Sequence, residues 1–159
     1  MSMSSSYRIR NAEKKDLDEI VNLIVRLKKL NEEFDPLYTV REEVAEVARD
    51  YIEKSLERDD VFILVAESGG RIVGVIRVEI RSRIFYQPVF EGIITDLYTL
   101  PSFRDKGVGT ALLDEAIKIL RSRGISIIGA EFPPMNKIAV EFYEKRGFKP
   151  LLYTYFKEI

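Results

Sequence analysis

The sequence predicts a mixed α+β fold, a central sheet with helices on both faces, and three observations carry that reading. Residues 61–67 and 71–85 are β-branched runs joined by Ser68-Gly69-Gly70, the pattern of an antiparallel hairpin. Residues 93–113 read as a strand, a glycine-bearing turn and the first turns of a helix, and residues 125–132 return as a strand, which makes a parallel crossover. Ahead of both, two stretches repeat apolar residues at helical spacing.

In chain order, residues 7–10 alternate and predict a short first strand. Asp16 is then placed to cap a helix whose positions Leu17, Ile20, Val21, Ile24, Leu27 and Leu30 fall on one stripe, ending near Glu32. The connector 33–38 is aromatic and contains Pro36, which blocks continuation. Thr39-Val40-Arg41-Glu42 has the form of a capping box and predicts a second helix to about residue 56 or 58. In the returning strand of the hairpin, Arg77, Glu79, Arg81 and Arg83 alternate with Ile76, Val78, Ile80 and Ile84, which predicts one face open to water. The crossover helix spans 108–123 and closes at Gly124. Pro133-Pro134 interrupts, residues 137–146 form a short helix closed by Gly147, and residues 151–156 supply a last strand. No internal repeat is visible, and the serine-rich residues 1–6 are expected to be disordered.

A chain of 159 residues, 46% hydrophobic and 32% charged, fits one domain over residues 1–159 with one core. Its longest apolar runs are far too short to span a bilayer, and residues 1–6 lack the succession of a signal peptide, so a cytoplasmic location without membrane contact is expected. Cysteine and histidine are both absent. That excludes disulfides, thiolate nucleophiles and His-centred zinc or hydrolase sites, so no metal is expected and any general base is a carboxylate, a tyrosine, a lysine or a relayed water. A net charge of −1 argues against nucleic acid as partner. Residues 12–60 carry nine Lys/Arg against fifteen Asp/Glu, most of them read as solvated helix faces.

The richest stretch is the strand–turn–helix junction, where Arg104-x-x-Gly107-x-Gly109 opens the crossover helix. A helix start offers backbone N–H groups without intrahelical partners and the positive end of the helix dipole, and therefore suits a phosphate. Side chains with a Cβ at 107 and 109 would crowd a ligand on that backbone, while Lys106 and Thr110 add a charge and a hydroxyl. Composition alone would produce this spacing about 0.04 times in a chain of this length, so coincidence is a poor explanation. Neither a P-loop nor the dinucleotide fingerprint fits, since the required glycines and the early position are missing.

The run Asp96-Leu97-Tyr98-Thr99-Leu100-Pro101-Ser102-Phe103-Arg104-Asp105-Lys106-Gly107-Val108-Gly109 resembles the acyl-CoA-binding motif of the GNAT superfamily of N-acetyltransferases. A second match, Asn136-x-x-Ala139-x-x-Phe142-Tyr143-Glu144-Lys145-x-Gly147-Phe148, resembles that family's C-terminal helix and following strand. The resemblance covers nearly the whole chain from Tyr7. It implies a mostly antiparallel mixed sheet whose two parallel strands splay apart around the pantetheine arm of acetyl-CoA. It also implies that the backbone of Leu97, Tyr98 and Thr99 bonds the pantetheine, and that the amides of Asp105, Lys106, Gly107, Val108, Gly109 and Thr110 hold the pyrophosphate beside Arg104. By the same resemblance Asn136 contacts the cofactor and Tyr143 protonates the CoA thiolate.

Acetyl transfer to an amine needs a deprotonated amine, a stabilised oxyanion and a proton for the thiolate. Tyr143 lies seven residues after Asn136, so the two share a helix face. A plain core role for Tyr143 and a capping role for Asn136 are the competing readings. Glu131 resembles the glutamate base of ribosomal-protein alanine acetyltransferases; Asp96, Glu91 and water are alternatives. The expected function is therefore acetyl-CoA-dependent N-acetylation of a primary amine by direct attack in a ternary complex. A non-catalytic acyl-CoA-binding module is the second reading. Glu32, Glu33 and Asp35 with Phe34 and Tyr38 suggest a weak preference for basic acceptors, whether a small molecule or a protein amine. A homodimer is an open possibility because dimers are common in the family.

Overall fold

The computed structural model describes residues 6–159; the expected disorder of residues 1–6 falls outside these except for Ser6. A five-stranded sheet in the order β1-β2-β3-β4-β5 is built from Arg8–Asn11, Val61–Ser68, Arg71–Ser82, Phe90–Thr99 and Ile128–Ala130. All neighbours are antiparallel except β4 and β5, which are parallel, as a crossover through a helix requires. Helices α1 (Leu17–Asn31) and α2 (Val44–Leu56) pack on one face, where Ile20, Ile24 and Ile52 meet Val65 and Val75. Helices α3 (Val108–Ser122) and α4 (Lys137–Lys145) take the other face, with Leu112, Leu113 and Tyr143 against Leu64, Ile76 and Val78. Each fully buried Leu or Ile contributes about 1.5–3 kcal/mol, so both layers are held chiefly by these side chains. Among the described residues no helix is long and apolar enough to cross a membrane.

Several elements differ from what the sequence predicts, each for a local reason. Helix α2 begins at Val44 and not at the Thr39 capping box, because the Thr39 hydroxyl donates to the Pro36 carbonyl at 2.7 Å and closes the preceding 3-10 turn Pro36–Tyr38. Asp16 precedes α1 without capping it through its side chain, which instead accepts from the Glu13 amide at 2.8 Å and from the two terminal guanidinium nitrogens of Arg10 at 2.7 and 2.8 Å. The alternating face of β3 is not open to water throughout: Arg77 is 1% exposed. Finally, residues 151–156 form no strand and pair with nothing in the sheet.

A register shift between β3 and β4 matters most for the site. Arg77 pairs with Asp96 and Val78 with Ile94, so Thr95 is the extra residue of a β-bulge. The bulge breaks the alternation of β4. Ile94 joins the core under α3, while Tyr98, four residues on, joins the core under α1 and α2.

Candidate active site

The fourth strand leads directly into the glycine-bearing turn. Pro101–Lys106 is a single stretch of 3-10 helix, and Gly107, at φ 77° and ψ 12°, turns the chain into α3. That left-handed conformation is the reason for glycine at 107. The first α-helical bond runs from the Ala111 amide to the Gly107 carbonyl at 2.9 Å, so the amides of Val108, Gly109 and Thr110 head the helix without intrahelical acceptors. Gly109 faces the ring of Phe142 on α4, where a Cβ would stand 3.4 Å from Cε1 in ordinary van der Waals contact, so packing by itself does not demand glycine there. Val108 is fully buried and anchors the turn to the core.

Three cations border this helix start. The Arg104 guanidinium lies 5.7 Å from the Tyr98 ring centroid, with its Nε donating to the Thr99 carbonyl at 3.4 Å. The Lys106 amine sits 5.2 Å from the Phe103 ring. The third, Arg146, was not legible in the sequence, where it fills an unspecified position of the second motif. It stacks on Phe142 at 3.9 Å, donates to the Phe142 carbonyl at 2.8 Å, and hydrogen-bonds the Thr110 hydroxyl through its other nitrogen. Only folding brings residues 110 and 146 together.

Below the turn, the parallel strands part. Pairing of β4 with β5 stops at Ile94 with Ala130, followed by one bond from the Glu131 amide to the Ile94 carbonyl at 3.0 Å. The edge of β4 from Leu97 to Thr99 therefore has no strand partner on that side among the described residues. Tyr143 lies in an aromatic nest, 5.0 Å from the Phe132 centroid, 5.1 Å from Phe142 and 5.0 Å from Phe148. Its hydroxyl has no hydrogen-bond partner among the described residues, and burial, then the charge of Asp96, push the phenol well above its usual value. The Asn136 side-chain oxygen accepts from the Ala139 amide at 3.1 Å and so caps α4.

The carboxylates occupy different environments. Glu131 has a side chain 57% exposed and is bracketed by Arg81 at 3.0 and 3.3 Å. From Arg81 the charges alternate inward through Glu79 at 3.1 Å to the buried Arg77 at 2.5 Å, which also lies over the Tyr51 ring at 4.2 Å. Asp96 has a fully buried side chain, held by Lys28 at 2.6 Å, the Tyr51 hydroxyl at 2.7 Å and the Thr95 hydroxyl at 2.9 Å. Burial and this carboxylate push the Tyr51 phenol up as well. Glu91 pairs with Arg83 at 3.3 Å. Lys28 and Tyr51 gave no signal in the sequence beyond helical periodicity; their role is fixed by the bulge that turns Asp96 toward them.

The loop after α1 is shaped by its own acids. Glu32 accepts from the Val40 amide and Asp35 from the Leu37 amide, both at 2.9 Å. A groove of about 260 Å³ between the first two helices is lined by Lys28, Asn31, Tyr38 and Arg41 among others. The buried Asn31 side-chain oxygen in it has no partner among the described residues. Nor do those residues include any cluster of acidic side chains fit to hold a metal ion.

A model of the acetyltransferase (GNAT) family matches residues 27–148. An uncharacterized N-acetyltransferase of Methanocaldococcus jannaschii is 33% identical over 150 residues, 93% of this chain and 63% of that protein, so the chain spans less than two thirds of that relative's length. An N-alpha-acetyltransferase of Sulfurisphaera tokodaii is 32% identical over 149 residues, which cover 90% of this chain and 80% of that one. In fold, the chain is similar to the aminoglycoside N-acetyltransferase AAC(6')-Iy solved in complex with CoA, with a TM-score of 0.76 at 18% identity over 97% of this chain and 95% of that one. On the family match across most of its length and on these relatives, the protein belongs to the GNAT family of acetyltransferases.

Proposed function

We propose that residues 1–159 act as one cytoplasmic acetyltransferase domain that moves the acetyl group of acetyl-CoA to a primary amine by direct attack within a ternary complex. The observation that carries this reading is the coincidence of two features at one splay in the sheet. One is a helix start with open amides, a left-handed Gly107 and three nearby cations; the other is a buried, unpartnered phenol at Tyr143. The donor set suits a pyrophosphate, because open N–H groups and guanidinium groups both favour anionic oxygen. In this reading Arg104 and Lys106, with the amides from Asp105 to Thr110, hold the diphosphate. The unpaired edge of Leu97, Tyr98 and Thr99 bonds the pantetheine amides, and Asn136, while capping α4, borders the cofactor.

The amine attacks the thioester carbonyl carbon, and its surplus proton passes to a carboxylate, directly or through water. Glu131, half open to solvent and oriented by Arg81, is the first candidate for that carboxylate. Collapse of the tetrahedral intermediate breaks the C–S bond, and Tyr143 gives the sulfur its proton. Because its phenol stays protonated at any working pH, Tyr143 is suited to act as acid and not as base. The acceptor is an amine with a basic or peptide character. A protein N-terminal amine is the leading class, since one relative is an N-alpha-acetyltransferase. Glu33 is the acid of the 32–35 group for which no structural duty is visible among the described residues.

The test is release of CoA thiol from acetyl-CoA across amines, polyamines, amino sugars and N-terminal peptides, with mass analysis of products and CoA-dependent thermal stabilisation measured in parallel. Acetylated product with stabilisation is the expected result. Stabilisation without turnover on any amine would favour the non-catalytic acyl-CoA-binding module instead.

A further inference from the structure

We infer that the open cavity where β3 begins and β4 ends is a second binding site, separate from the cofactor seat, and that it takes a small organic dianion. It holds about 390 Å³, a volume within the range of small-molecule sites. Arg26 of α1, Arg71 at the first position of β3 and Ser102 supply its polar wall, and Val73, Leu100 and Phe103 its apolar one. No Asp or Glu lines it. The chain as a whole carries a net charge of −1, so this concentration of positive charge is local.

The two guanidinium groups are distinguished by what they lack. Of the fourteen arginines, only Arg26, Arg71 and Arg121 have no ion pair, hydrogen bond or ring contact among the described residues. Most of the others are held by carboxylates, and Arg104, Arg123 and Arg146 by main-chain carbonyls. Arg121 lies in the last turn of α3, where the helix dipole suits a cation. No such reason covers the other two. Glu19, also on α1, accepts from the Ile72 amide at 2.8 Å, and Glu67, next to the Ser68 that pairs with Arg71, accepts from Arg10 Nε at 2.7 Å, so both acids are already engaged. Two uncompensated guanidinium groups, brought to one cavity from different elements, are left to an anion from outside the chain.

The chemistry of the wall selects the ligand. A guanidinium presents a fork of N–H donors that matches the paired oxygens of a carboxylate or a phosphate. A cleft lined by one sign of charge also raises the local concentration of counter-ions. The apolar wall favours a ligand with a carbon body over a bare inorganic ion, because carbon placed against Val73, Leu100 and Phe103 leaves water. Two acidic charges on a short carbon skeleton satisfy both walls. The site is also distinct from those already described. The proposed diphosphate seat, 104–110, shares no lining residue with the cavity. The groove between the first two helices shares none either, and its cations Lys28 and Arg41 are already paired with Asp96 and Glu43.

Isothermal titration calorimetry of the full chain at fixed ionic strength, with and without CoA, tests the site. The probes are succinate and glycerol 3-phosphate, compared with inorganic phosphate and uncharged glycerol. At least one organic dianion should bind once per chain with a Kd below about 1 mM, tighter than inorganic phosphate by roughly fivefold or more, and glycerol should not bind. Whichever dianion prevails identifies a carboxylate or a phosphate ester as the natural chemistry. Arg26→Gln combined with Arg71→Gln should weaken binding by about tenfold or more, with unfolding and CoA affinity unchanged, because neither side chain has a partner to lose. Ser102→Glu, which adds a carboxylate to the exposed wall and keeps both arginines, should give the same loss. No binding by either dianion, or equal affinity in the double variant, overturns the inference. So does inorganic phosphate that binds as tightly as the organic probes, which would mean an adventitious ion only. Binding that CoA abolishes would place the probe in the cofactor seat and refute a separate site.

Discussion

Replacing Tyr143→Phe deletes one oxygen and leaves every ring contact of the aromatic nest in place. The rings of Phe132, Phe142 and Phe148 pack against the tyrosine ring at 5.0 to 5.1 Å, and the hydroxyl holds no hydrogen bond among the described residues. Stability should therefore change by less than about 1 kcal/mol, because no formed bond is lost and a desolvated hydroxyl is removed. Catalysis should respond very differently. Proton donation by a positioned side chain contributes about 10²–10⁴-fold, which at 1.36 kcal/mol per tenfold corresponds to roughly 3–5 kcal/mol of barrier. The loss belongs in kcat, with the Kd for CoA within about twofold of the parent, because in the proposed role the hydroxyl acts on the departing sulfur and not on the bound ground state. Burial raises the phenol, so in the parent this acid should not titrate away on the alkaline side of the profile up to about pH 10, the ordinary value for tyrosine. Steady-state thiol release from pH 6 to 10, with urea unfolding of both proteins, measures all of this. Equal kcat in the phenylalanine variant throughout would refute the acid role and leave Tyr143 as a packing residue.

Gly107→Ala should destabilise by about 1–2 kcal/mol, the strain of a Cβ in the left-handed region, lowering Tm by roughly 2–8 °C, while Gly107→Asn loses less; an alanine variant as stable as the parent contradicts this. Glu131→Gln should lower kcat/KM by about 10²-fold or more near neutral pH; a variant as fast as the parent moves the base to Asp96, Glu91 or water. Asp16→Asn should lose about 1–3 kcal/mol at pH 7, since Arg10 holds the Asp16 carboxyl below its usual range. A lowered folded-state value gives stability that is present above the unfolded carboxyl value of about 3.9 and lost as pH falls through the folded one, so the gap should close on acidification. Urea titrations at pH 7 and 3 test it, and a constant gap would rule out ionisation as its source.

The elements that the sequence announces most clearly are those where period and punctuation agree. The Ser68-Gly69-Gly70 hairpin, the crossover from β4 through α3 to β5, and the stripe from Leu17 to Leu30 all stand where spacing puts them. The turn at Gly107 is legible because a left-handed junction leaves a glycine in the sequence. Gly109 is legible only in part, since the Phe142 ring that it faces lies 33 positions away. Arg77 misleads because alternation reports which face a residue shares and not what covers that face; Tyr51, Ser55 and Thr95 bury and satisfy it. The bulge at Thr95 has no local signature at all, and with it the enclosure of Asp96 by Lys28 and Tyr51 stays hidden. Residues 151–156 carry a strand pattern that the sheet leaves unpaired, because composition specifies a strand without naming its partner.

The central claim, that the start of α3 is the diphosphate seat of acetyl-CoA, is tested most directly by titrating CoA into isotope-labelled protein and following backbone amide resonances. The amides of Gly107, Val108, Gly109 and Thr110 should show the largest shifts, with smaller ones along Leu97, Tyr98 and Thr99, and pantetheine lacking the diphosphate should move only the second group. Saturable CoA binding that leaves the amides from Gly107 to Thr110 unmoved would contradict the account.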